Sequence, residues 1–218
     1  MNHNPDPYYG RPEVSNSDLT ALKNLLHPHP EGDKERAFHI GNLVDALVTE
    51  PARVDWYRRT VDDVPYTEDD FRFGEEMLRA LRAEARSDRF LANVLKVADT
   101  QRVSVRHGQE FTYGEFPFTL DTRCKWDWFL GGPHFGGDLK TTSTASQQEF
   151  EEAYDFFDID RSRAWYMDIE GTARDFVYAI SKRTMKVFKV FVTRGDARYR
   201  RGREKYEELA FQWWCLNL

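Results

Sequence analysis

Asp127, Asp138 and Lys140 are the side chains whose types and spacing could act together in catalysis. In DLK the acid and the amine are two residues apart, and on a strand such residues project from one face while Leu139 turns into the core. Asp127 precedes Asp138 by eleven residues, ahead of the glycine-rich GGPHFGG, so a hairpin that returns the chain sets it beside Asp138. Two carboxylates can hold a hard divalent ion such as Mg²⁺. Such an ion polarises a phosphoryl oxygen and lowers the pKa of bound water. Lysine is a mobile point charge that orients that water or stabilises charge growing on phosphorus. The chemistry these groups would support is hydrolysis of a phosphodiester. A short D-x-K is equally the mark of a surface strand or a buried salt bridge. Here Asp127 lies between Trp126 and Trp128, and Asp138 follows two glycines, surroundings in which an unpaired acid costs free energy.

The elements that must position these groups follow from periodicity. Residues 1–14 read as an irregular arm. SNSDLTALKNLL reads as a helix capped by Ser15 or Ser17, with Leu19, Leu22, Leu25 and Leu26 as its apolar stripe. HPHPEGDK is a loop. ERAFHIGNLVDALVTEP is a second helix that buries Phe38, Leu43 and Leu47 and stops at Pro51. Residues 51–99 read as mainly helical, with turns near Val64–Pro65 and Ser87–Asp88. Then β-branched and aromatic residues take over. RVSV, the stretch ending FTY, FPFTLDTRCKWDWF and DLKTT are strands, and Gly131–Gly132 and Gly136–Gly137 are turn residues. Two helices follow from about Gln147, then strands at DFVYAIS and KVFKVFV, then a closing helix. The expectation is one α/β domain over 1–218, a mixed sheet flanked by helices. Residues 15–99 form its helical N-terminal region and 100–218 the core that carries the chemistry.

Hydrophobic residues make up 40% of the chain and aromatics 15%, enough for a sizeable core, which excludes global disorder. No apolar run reaches the length of a membrane span, and MNHNPDPYYG lacks the basic start and apolar stretch of a secretory signal. Cys124 and Cys215 are too few for a disulfide scaffold or a four-cysteine zinc site, and read as reduced thiols of a cytoplasmic protein. The net charge of −6 is unevenly spread: ten basic residues between Lys182 and Lys205 face only Asp196 and Glu204, a local +8 that leaves −14 elsewhere. A basic stripe on an acidic body is either a phosphate-tracking surface, with Arg200, Arg201 and Arg203 on nucleic acid, or a solvated helix face. Glu110 and Glu115 are candidates for a second ion. Trp126, Trp128 and Trp165 read as core residues or as platforms for bases. His27 and His29 belong to a loop.

Five stretches, in order, resemble the PD-(D/E)XK nucleases, specifically the RecB-like branch with the RecE-type phage exonucleases (exodeoxyribonuclease VIII) and similar phage-derived proteins of Bacteroides. SNSDLTALK resembles that family's opening helix and GNLVDALVTEP its G-x-x-x-H-x-L-x-x-E-P helix. LDTRCKWDWF resembles its C-x-x-D strand, GGDLKTT its D-x-K-T-T strand and DIDRSRAWYMD its Q-x-x-x-Y helix. The resemblance implies a restriction-endonuclease-like fold. It makes Asp127 and Asp138 ligands of Mg²⁺ or Mn²⁺, brings in the backbone carbonyl of Leu139, and makes Lys140 the catalytic lysine. Asp45 stands where the family carries a metal-binding histidine, a harder oxygen ligand in its place. Tyr166 matches the tyrosine of the last motif, but Ser162 takes the glutamine's position and is too short for its reach; Arg161 and Arg163 beside it are candidates for phosphate contact instead. The resemblance further implies exonucleolytic digestion of linear duplex DNA in phage-type recombination, a single-strand annealing protein as partner, and a homo-oligomer. Two other readings stay open: a DNA-binding protein of this fold that no longer cleaves, and a phage accessory factor that binds protein.

Overall fold

The computed structural model describes residues 8–28 and 34–217. Most of the loop expected at 27–34, His29 included, and most of the arm expected at 1–14 lie outside them. Helix α1 (Asn16–Leu26) begins where Ser15 and Asp18 each satisfy the other's backbone N–H in a capping box. It buries Leu19 and Leu22, but Leu25 and Leu26 of the expected stripe face solvent. Helix α2 (Lys34–Thr49) buries Leu43 and Leu47 and ends ahead of Pro51, whereas Phe38, expected inside, is 68% exposed on its outer face.

The helix expected directly after Pro51 is replaced by a 3₁₀ turn (Pro51–Arg53) and a small antiparallel sheet, β1 (Val54–Asp55), β2 (Thr60–Val61) and β3 (Val64–Pro65). Strands of two residues are too short to write a period into the sequence. Val54 and Val61 pack with Leu43, Leu47 and Phe71, which clamps this sheet to α2 and to α3 (Glu68–Glu84). Helix α4 (Arg89–Val97) follows, capped by Asp88.

The main sheet runs β4 (Asp99–Tyr113), β5 (Phe116–Leu130), β6 (Phe135–Thr142), β7 (Arg174–Ser181) and β8 (Val187–Thr193), in that spatial order. All neighbours are antiparallel except β6 and β7. That parallel pair needs a long crossover, which α5 (Gln147–Phe156) and α6 (Ile159–Glu170) supply; α7 (Ala197–Leu216) closes the chain. Helices α2, α3 and α4 cover one face of the sheet around Trp128, Leu139, Phe176 and Tyr178. Helices α1, α5, α6 and α7 cover the other around Cys124, Trp126, Phe129 and Trp165. This is the mixed α/β sheet with helices on both faces that the sequence led one to expect.

Candidate active site

Strands β5 and β6 pair through Trp128↔Gly137, Phe129↔Gly136 and Leu130↔Phe135 only, and then part. β6 stays on β7 as far as Thr142, so from Asp138 onward its other edge faces a gap. Gly136 and Gly137 permit the close approach at this junction. A Cβ on the first would lie 2.0 Å from the Trp126 ring, and one on the second 2.1 Å from the Phe176 ring. They are strand residues, not the turn residues expected; the turn lies at 131–134.

Asp127 stands at the mouth of the gap. Its Oδ2 accepts the Leu139 backbone N–H at 2.7 Å, a substitute for the ladder bond β5 no longer offers. The N–H and C=O of one strand residue point to the same side, so the Leu139 carbonyl also faces the gap, while its side chain is buried toward α2. The alternation of β5 slips here: Trp126 joins the α6–α7 core and Trp128 the α2–α3 core. Across from the slip Gln101 has a left-handed φ of 54°, a strained state that tends to occur at functional sites. Asp138 and Lys140 project together, as their spacing requires, with Oδ2 and Nζ 2.5 Å apart. Asp45 approaches from α2, its carboxylate accepting from Thr49 Oγ1 (3.0 Å) and Gln101 Nε2 (3.3 Å). Tyr166 and Lys125 line the same cleft of about 350 Å³. A more open hollow of about 540 Å³ lies at Gln147, Glu151 and Arg198, where Arg198 and Glu151 already satisfy each other.

Burial pushes the Asp127 carboxyl well above its ordinary value, and Asp45 and Asp138 push the same way. Burial raises Asp45 as well. Asp138 moves in the other direction: burial raises it, but Lys140 and Arg163 outweigh burial and hold it low. Burial also works against the Lys140 ammonium, but Asp138 and Asp127 outweigh it, so the charge is kept. Three acids thus share an enclosed space with Lys140 and Arg163. Asp138 Oδ2, although beside Lys140 Nζ, has no aligned hydrogen bond. Surplus carboxylate oxygen and a free-facing carbonyl make a hard donor set that suits Mg²⁺ or Mn²⁺. No three His, Cys, Asp or Glu side chains among the described residues form a ready-made cage, so the fit is that of two acids and a carbonyl completed by water.

The expectation that Arg161 and Arg163 contact phosphate is corrected. Arg163 is 1% exposed; its Nη1 lies 3.1 Å from Asp138 Oδ1, and its Nε and Nη2 each donate to Asp175 at 3.0 Å. Its guanidinium also covers the Tyr166 ring at 4.3 Å. Arg161 is 2% exposed and donates to Asn16 and Thr20. Both point inward because partners from distant segments meet them there. Ser162 bonds to the Ile159 carbonyl instead of reaching the cleft. Trp126, Trp128 and Trp165 are core residues. Glu110 and Glu115 are exposed and do not line the cleft.

Half of the basic stripe lies on α7, across the sheet from α2, and that half is laced with acids: Arg201 pairs with Asp155, Arg203 with Glu207 and Lys205 with Asp160. Arg200 is exposed, and none of Arg200, Arg201 and Arg203 lines the cleft. Gln101, Thr49 and Asp175 escape sequence reading because nothing local marks them. Lys125 could have been found, being two residues from Asp127 on one strand. Cys124 and Cys215 are free thiols, and burial keeps Cys124 protonated. No helix among the described residues is long and apolar enough to cross a membrane.

No protein-family model matches this chain, and no curated protein does. The similar solved structures include two crystal structures. SSO0001 is 13% identical, with a TM-score of 0.39, over 90% of this chain and 86% of its own. A phage related exonuclease from Haemophilus somnus 129PT is 12% identical, with a TM-score of 0.38, over 92% of this chain and 96% of its own.

Proposed function

We propose that this chain hydrolyses phosphodiester bonds of DNA with Mg²⁺ or Mn²⁺ held by Asp127, Asp138 and the Leu139 carbonyl, and with Asp45 as a further carboxylate. The gap between β5 and β6 carries the reading: two acids, a strand carbonyl and a charged lysine converge where the sheet opens. When bound, the cation would polarise a phosphoryl oxygen and make hydroxide available near neutral pH. The chain's own groups do the rest. Lys140, 42% exposed in the cleft, places positive charge where the attacking water or the phosphoryl oxygen must sit. Arg163 fixes Asp138 from beneath. Burial keeps the Tyr166 hydroxyl protonated, so it serves as a donor and not as a base. From the family resemblance, the finer proposal is exonucleolytic digestion of linear duplex DNA in phage-type recombination. It would act in the bacterial cytoplasm, as a homo-oligomer working with a single-strand annealing protein.

One observation favours a second reading, binding without cleavage: Arg163 and Lys140 already neutralise Asp138. Incubation of linear, nicked and single-stranded DNA with Mg²⁺ or Mn²⁺ separates the two. Wild type should cut, and Asp138→Ala and Lys140→Ala should not. If wild type and Asp138→Ala are equally inert yet both bind DNA, the second reading holds. Neutralising Arg200, Arg201 and Arg203 together tests the stripe: binding should weaken and the salt slope become shallower.

A further inference from the structure

The small sheet ends in an exposed tip between β1 and β2, formed by Trp56, Tyr57, Arg58 and Arg59. Tyr57 is 93% exposed and Trp56 48%. A ring left as open as that of Tyr57 does not serve the core. The tip is nevertheless held in place. Asp55 Oδ1 accepts the N–H groups of Tyr57 (3.0 Å) and Arg58 (2.9 Å), and the Arg59 carbonyl accepts the Tyr66 N–H at 3.0 Å. Trp56 meets Phe71 edge-on at 5.5 Å. Arg59 has a left-handed φ of 56°, so the tip keeps its shape against a local cost. Arg59 has no ion pair among the described residues, and Arg58 has only a 3.8 Å exposed contact with Asp55. The other end of the sheet borders the cleft through Arg53, Val61, Asp62 and Val64. Its strands are two residues long, so the tip stands about 7 Å from that rim. The sheet is clamped to α2, the helix that carries Asp45.

We infer that this tip is a platform for single-stranded nucleic acid, on which Tyr57 stacks on an unpaired base while Arg58 and Arg59 meet the flanking phosphates. The inference rests on reading the cleft as a phosphodiesterase site, and it narrows the substrate to DNA with a frayed or single-stranded end. An aromatic ring stacks on any base, and a guanidinium matches a phosphate in two-point contact. Two arginines without firm partners favour a polyanion over an apolar protein surface.

The test is binding in EDTA, read by fluorescence anisotropy, with a single-stranded oligonucleotide and a blunt duplex of the same sequence. A 2-aminopurine base in the single strand should be quenched by wild type. Tyr57→Ala should bind the single strand about tenfold more weakly and lose the quenching, while blunt-duplex affinity changes little. Tyr57→Phe should restore both, and Arg58→Ala with Arg59→Ala should flatten the salt dependence. Unchanged single-strand affinity in Tyr57→Ala would overturn the platform. So would a wild-type oligomer that Tyr57→Ala dissociates with nucleic-acid affinity intact, which would make the tip a protein interface. Because cleavage is not read, the two readings fail separately. An inert wild type whose Tyr57→Ala variant still loses single-strand affinity sinks hydrolysis and keeps the platform. A cutting enzyme indifferent to Tyr57→Ala sinks the platform alone.

Discussion

Replacing Asp127 by asparagine removes a buried acid and keeps the oxygen that accepts the Leu139 N–H at 2.7 Å. Burial, Asp45 and Asp138 all push the Asp127 carboxyl above its ordinary value. The folded chain therefore retains a proton that the unfolded chain has already released. Each pH unit over which that holds lowers stability by about 1.4 kcal/mol, starting above the ordinary aspartate value of about 3.9. Between about pH 5 and pH 7 the loss can reach about 2.7 kcal/mol. The amide takes up no proton, so in EDTA the Asp127→Asn variant should overtake wild type as pH rises, by up to that amount. At a thousandfold excess over its Kd, Mg²⁺ should reverse the order, since an ion bound to ionised acids stabilises wild type alone, by about 4.1 kcal/mol. Urea unfolding at the two pH values, with EDTA and with Mg²⁺, reads all of this. An Asp127→Asn variant less stable than wild type in EDTA at pH 7 would refute the reasoning.

Gly136→Ala would press a methyl to 2.0 Å from the fully buried Trp126 ring, costing about 1–3 kcal/mol or more as β6 shifts. It should reduce cleavage beyond its effect on stability, whereas Gly131→Ala, with open space around it, should change neither in a melt and a nuclease assay. Asp88 caps α4 through the Phe90 and Leu91 N–H groups and also accepts from Tyr178 and Lys189; Asp88→Ala should cost about 2 kcal/mol at neutral pH. Burial raises the Asp88 carboxyl, but Lys189, the helix amides and Tyr178 outweigh burial and hold it low. Its contribution is therefore complete above about pH 4 and fades as pH falls through the lowered value, so wild type and variant should converge in acid unfolding. Arg163→Met leaves Asp175 without its cation and Asp138 with Lys140 alone, and should cost about 3–5 kcal/mol by urea unfolding. Adding Asp175→Asn should recover part of that loss.

Where a local pattern fixes direction, the sequence was readable. Asp138 and Lys140 share a face because strands alternate, and the glycine-rich turn brings Asp127 back to them. Helix α2 places Asp45 by its Leu43 and Leu47 stripe and its proline stop. What stayed hidden depends on partners far along the chain. Arg161 and Arg163 look like surface charges until Asn16, Thr20, Asp138 and Asp175 arrive around them. The stripe on α7 looks unopposed until Asp155 and Asp160 come to meet it. Gly136 and Gly137 carry the composition of a turn, but what requires them is the pressure of two rings from neighbouring strands.

The Asp127–Leu139 contact makes one carboxylate both a mending stitch in an open seam and a tool for chemistry. A descendant that gave up hydrolysis would still need an oxygen at that position to occupy the stranded amide. Keeping Asp127, or drifting to asparagine there, would therefore say little about whether such a protein still cuts. Lys140 makes a better witness, because no main-chain group among the described residues leans on it.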